Sequence, residues 1–74
     1  MKLVRIEWND AVCESSWLHA DYAKQKSVEH CVTVGYLFHE TELAYYITST
    51  QGSELGILGY TIIPKGMAVK YEAL

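Results

Sequence analysis

Apolar and polar residues alternate from Leu3 to Trp8, with Val4, Ile6 and Trp8 against Leu3, Arg5 and Glu7. A period of two predicts a first strand with one apolar face turned inward. Asn9-Asp10 breaks it, and residues 11 to 29 show no such period. Within them Ser16 or His19 to Lys26 holds the helix formers Ala20, Ala23 and Lys24 but no long apolar stripe, which predicts a long loop carrying a short helix. Alternation returns from His30 to Phe38, where Val32, Val34, Tyr36 and Phe38 share one face and Cys31, Thr33, Gly35 and Leu37 the other. Gly35 marks either a bend or the close approach of another backbone. The polar run His39-Glu40-Thr41-Glu42 is a turn, and Leu43 to Thr50 completes a hairpin with the second strand. Gln51-Gly52-Ser53-Glu54 is the next turn, and Gly56 to Ile63 a fourth strand with a bend at Gly59. Pro64 lacks the donor a ladder needs, so it ends that strand, and Pro64-Lys65-Gly66 turns the chain into a fifth, Met67 to Glu72.

Five strands behind one long first loop predict a single, mainly β domain over residues 1 to 74, a small SH3-like or Sm-like antiparallel barrel. A chain of 74 residues has a small core, and below about 80 residues one core rarely supplies more than ~3–5 kcal/mol. Half of the residues are hydrophobic, a surplus that points to a homo-oligomer burying apolar surface between subunits.

The net charge of −3 excludes a protein that tracks the phosphates of long nucleic acid, because release of counterions requires a basic stripe. A small ligand with one or two phosphates needs only a local patch and stays open. No apolar run approaches the ~18 residues of a membrane span. Charges inside the apolar N-terminal run and the lack of a cleavage site argue against a signal peptide, so the chain reads as cytoplasmic, with Cys13 and Cys31 reduced.

Candidate chemistry is sparse. Cys13, His19, His30 and Cys31 lack the short chelating spacings of zinc sites, and adjacent strand residues such as His30 and Cys31 point to opposite faces. No Gly-x-Ser-x-Gly elbow accompanies Ser15, Ser16 and His19, whose serines suit caps and turns. Glu40 and Glu42 fall in a solvated turn without a dry cleft for acid/base work. Gly52, Gly56 and Gly59 are not followed by a long helix and so form no phosphate loop. These readings predict a protein that is not an enzyme and holds no cofactor or metal. The nine aromatic residues exceed what a small barrel can bury. Trp8, Phe38 and Tyr45 are expected in the core, leaving the others for an interface or for stacking on a planar ligand. Trp17, in a polar loop, either plugs the barrel end or meets a partner.

The succession Trp8-x-Asp10, Trp17, Thr33-Val34-Gly35-Tyr36-Leu37, Ile62-Ile63-Pro64-Lys65-Gly66 and a closing Leu74 resembles a widespread group of small phage proteins. Among these it is similar to the anti-CBASS sponges, which form tetramers and sequester cyclic dinucleotide alarm signals. The resemblance implies a non-catalytic oligomer, a tetramer, acting in the cytoplasm of the infected bacterial host. It would bind a cyclic dinucleotide, for example one like 3',3'-cGAMP, between subunits. The chemistry of this chain suits that ligand, with Trp17 and Tyr36 to stack on bases, hydroxyls such as Thr33, Thr48, Ser49 and Thr50 for ribose or phosphate, and Arg5 or Lys65 for charge. These assignments follow from side-chain chemistry and not from an aligned binding motif. Other readings from the residues are an SH3-like adaptor or inhibitor that meets a protein, and a structural phage component that assembles by its barrel edges.

Overall fold

The computed structural model describes residues 1–54 and 56–74. The elements run β1 (Lys2–Asp10), α1 (Ala20–Ala23), β2 (Glu29–Glu40), β3 (Ala44–Thr48), β4 (Gln51–Gly52), β5 (Gly56–Ile57), β6 (Thr61–Pro64), a 3-10 turn (Lys65–Met67) and β7 (Ala68–Ala73). A five-stranded antiparallel sheet has the order β6-β3-β2-β1-β7, and β4 with β5 forms a separate two-stranded hairpin. The fold is therefore mainly β, with the short helix in the first loop.

The alternation read in the first strand is realised. Val4 and Ile6 point inward from β1 and are fully buried, with Ile47 of β3 and Ile63 of β6 completing the cluster. Trp8, Leu37, Tyr45, Ala68 and Tyr71 pack against it half-buried. The Tyr45 and Tyr71 rings stack at 5.1 Å, and the Trp8 indole N–H donates to Thr33 Oγ1 at 3.0 Å. Phe38, expected in the core, lies outside this cluster and meets Tyr46 edge-on at 6.0 Å. Phe38 shares the face of β2 that carries Val32 and Val34, both exposed, whereas Gly35 and Leu37 of the other face turn to the core, and Tyr71 supplies the ring there instead.

β2 also runs further than its polar end suggests, because His39 and Glu40 still pair with Tyr46 and Tyr45. The turn shrinks to residues 41–43, where Thr41 Oγ1 accepts from the backbone N–H groups of Leu43 and Ala44 at 3.2 and 3.1 Å. The expected fourth strand is broken in two. Gly56 and Gly59 adopt φ of +88° and +70°, conformations open to glycine at little cost, and the chain bends between β5 and β6.

At Gly35 the sequence left a bend or a close approach open, and the approach is what occurs. A Cβ placed there would stand 2.6 Å from the Thr48 carbonyl oxygen and 2.7 Å from Ile47 Cγ2. β6 and β7 are the two edges of the sheet, yet the three residues of the 3-10 turn join them. Four strand spacings of a flat sheet span about 19 Å. A fully stretched link from Pro64 to Ala68 reaches about 14 Å, so the sheet has to curl. No ladder joins β6 to β7 among the described residues, and the hydrogen-bonded sheet is open at that seam.

Candidate functional site

β1 pairs with β2 without interruption from Lys2↔Leu37 to Asp10↔Glu29, whereas β3 joins β2 only from Tyr36 onward. The β1–β2 hairpin therefore projects beyond the sheet, and every residue from Ala11 to His30 at its end is exposed. Trp17 sits in this arm and is fully exposed, so it plugs no barrel end. The molecule measures 51 × 24 × 20 Å as a result.

Where β3 ends and the chain enters the β4–β5 hairpin, a cleft of about 180 Å³ opens. Thr33, Ser49, Tyr60 and Thr61 line it together with Val34, Ile47, Leu58 and Gly59. Four hydroxyl-bearing residues from three segments thus meet beside apolar side chains, and no carboxylate, amine or imidazole lines the cleft among the described residues. Of the residues proposed from sequence, Thr33 and Ser49 belong here. Thr50 is next to it, its hydroxyl 3.4 Å from that of Ser49 and its carbonyl accepting from Leu58 N–H at 3.0 Å. Tyr60 was legible only as one aromatic among nine; the glycine before it, with φ of +70°, is the local mark of the bend that presents it. A larger cleft of about 440 Å³ lies on the arm, lined by Val12, Leu18, Tyr22, Ala23 and Val28 with Glu14, Lys26 and Ser27. That cleft sets a carboxylate and an ammonium beside its apolar walls, whereas the polar side chains of the smaller cleft are all hydroxyls, which makes it the more uniform site for a polar ligand.

The other sequence candidates lie apart from these hydroxyls. Tyr36 is half-buried on β2, in register with Leu3 and Thr48, and does not line the cleft. Thr48 is buried, its hydroxyl 2.8 Å from the Gly59 carbonyl and 3.1 Å from that of Thr50, so it holds the bend together and faces no ligand. Arg5 Nη1 donates to Glu7 at 2.9 Å and Glu72 at 3.4 Å. The Lys65 ammonium donates to Glu40 and lies 4.9 Å over the Tyr45 ring. Both cations are neutralised within the chain, Arg5 by Glu7 on its own strand and by Glu72 of β7, and Lys65 by Glu40 of β2. Glu40 also raises the Lys65 pKa, chiefly through that hydrogen bond.

The hydrogen bond from Arg5 holds the Glu7 carboxyl below its usual range; partial burial opposes this, and His30, whose ring nitrogen lies 3.3 Å from Glu7, supports it. A depressed folded-state pKa contributes stability above the ordinary carboxylate pKa, and this is lost as pH falls through the folded-state value. Thermal melts taken from pH ~5 down to ~2 should therefore show a shallower acid slope for Glu7→Gln than for the wild type. Equal slopes would remove this carboxylate from the acid response.

Comparison with protein-family models, curated proteins and solved structures found no match to this chain.

Proposed function

We propose that this chain is a non-catalytic binding protein, a phage sponge that holds a cyclic dinucleotide immune signal and withholds it from the effector of the infected bacterial host. The observation that carries the reading is the small cleft, where Thr33, Ser49 and Thr61 hydroxyls and the Tyr60 ring meet over apolar side chains. Hydroxyls suit ribose and phosphate oxygens, and a ring suits a base. The lining lacks the paired titratable groups of acid/base catalysis among the described residues, which favours holding a ligand over transforming it. At about 180 Å³ the cleft is smaller than the ~300–1,000 Å³ typical of whole-ligand sites. A cleft of that size would hold part of a dinucleotide, with a second copy of the chain supplying the rest, which accords with the tetrameric state of the sponges it resembles. The curled five-stranded sheet, its edges drawn together by the 3-10 turn, supports the SH3-like barrel reading of the same chain.

Titration calorimetry of the purified protein against a panel of cyclic di- and trinucleotides is expected to give stoichiometric binding, with the nucleotide recovered intact on denaturation. Tyr60→Ala should weaken binding by about 5- to 150-fold, the range for loss of one base-stacking contact. Glu42→Ala, in the β2–β3 turn, should leave it unchanged. No heat and no thermal shift with any member of the panel would end the sponge reading. A protein-binding adaptor or inhibitor is favoured by one observation, the fully exposed Trp17 on the projecting arm. Native mass spectrometry of protein recovered from infected cells separates the two by the mass of what stays bound.

A further inference from the structure

The chain exposes 5759 Å² of surface. A compact monomer of 8.4 kDa is expected to expose about 4,600 Å². The surplus, about 1,100 Å², exceeds the ~800 Å² that each partner contributes to a standard stable interface. The radius of gyration agrees, at 15.6 Å against about 11 Å for a compact domain of this length.

The arm between β1 and β2 contributes to this surplus, for no residue from 11 to 30 is buried and Val12, Trp17, Leu18, Tyr22 and Val28 are all exposed. Two features of the arm are complementary in shape and chemistry. Trp17 is a fully exposed indole that does not line the arm's own cleft, and that cleft is an apolar hollow of about 440 Å³, roomy enough for an indole. Knob and hole on the same short segment are what a two-fold, self-complementary contact requires, because each copy then presents both. The cleft rim carries Glu14 and Lys26, one of each sign, and α1 adds Asp21 beside Lys24. A rim of mixed sign meets its own two-fold image with opposite charges in reach, whereas a single-signed rim would repel it.

We propose that the arm is a self-assembly element, in which Trp17 of each copy seats in the Val12, Leu18, Tyr22 and Val28 cleft of a second copy. This deepens the oligomeric part of the sponge reading by naming its contact, and it does not depend on the ligand.

The test is sedimentation of the full-length protein over a concentration series, with far-UV circular dichroism to confirm that the sheet is retained. The wild type should be dimeric or a higher even multimer. Trp17→Ala, which removes the knob, should raise the dimer dissociation constant by about 30-fold or more, the behaviour of an interface hot spot. Ala23→Glu, which places a charge in the hole, should do the same. Mixing the two variants should restore association as a heterodimer, since one knob and one intact hole still meet, and this rescue excludes misfolding as the cause. A wild type that stays monomeric overturns both this inference and the shared ligand site. A wild type that assembles while both variants assemble equally well, or a mixture without heterodimer, overturns this inference alone; nucleotide calorimetry on the wild type then tests the sponge reading separately.

Discussion

Gly35→Val is expected to leave the chain largely unfolded in the absence of denaturant, and Gly35→Ala to lower its urea midpoint sharply. The reason lies at the crossing of β2 and β3. A Cβ at residue 35 would sit 2.6 Å from a backbone oxygen, that of Thr48, and 2.7 Å from Ile47 Cγ2, a core atom. Neither neighbour yields easily. Thr48 is pinned through its hydroxyl to the Gly59 and Thr50 carbonyls, and Ile47 is buried against Val4, Ile6 and Ile63. Overpacking of a filled site typically costs ~1–3 kcal/mol, and valine adds two further methyl groups to the first clash. A single small core supplies about 3–5 kcal/mol, so the larger substitution removes most of it. A Gly35→Ala protein with the wild-type urea midpoint would show that β3 moves aside freely.

Ile6→Ala should be comparably severe for the opposite reason, a void. Ile6 has no exposed surface and stands between Thr33 of β2 and Tyr71 of β7 in register, at the middle of β1, an interior strand of the sheet. Truncating a buried isoleucine costs ~2–5 kcal/mol through lost transfer energy and the cavity left behind. Leu43→Ala, at a residue 80% exposed, is the matched control and should fall within about 0.5 kcal/mol of the wild type. Urea titrations of the pair, fitted with a common slope, measure the difference. Equal midpoints would mean that the Val4, Ile6, Ile47 and Ile63 cluster contributes little to stability.

Local chemistry made much of this fold legible. The alternation of Val4, Ile6 and Trp8, the close approach at Gly35, the bend at Gly59 and the strand end at Pro64 all follow from properties of single residues or their nearest neighbours. What escaped depends on pairing across distance. His39 and Glu40 are polar and so suggest a turn, yet backbone pairing with Tyr46 and Tyr45 keeps them in β2. Phe38 falls on the outward face of β2 with Val32 and Val34, and which face turns inward is decided by pairing and not by alternation; Tyr71 joins the core because β7 returns to lie beside β1. The β4–β5 hairpin is two residues on each side, too short for any period.

The candidate site divides in the same way. Thr33 and Ser49 were readable as hydroxyls on strands, and their convergence with Tyr60 and Thr61 required the bend between β5 and β6. Lys65 looked available for phosphate because Glu40, which holds it, lies far away in sequence, whereas Arg5 has its nearer partner, Glu7, two residues along the same strand and only Glu72 at a distance. Trp17 was conspicuous at once, and its full exposure moves it from the barrel end to the arm.

The placing of β1 between β2 and β7 has a consequence for how the chain acquires its structure. The strand that contributes Val4 and Ile6 is the first to be synthesised, but one of its two ladders is made with residues 68–73. Until that late segment arrives, the β1–β2 hairpin presents a bare strand edge beside an uncovered apolar face, the form most prone to wrong partners. Loop closure over so long a separation precedes the contacts that reward it, which favours slow, late sealing of the sheet. During its own synthesis the protein is thus most vulnerable at a strand that later lies inside the sheet and carries two of its four fully packed core side chains.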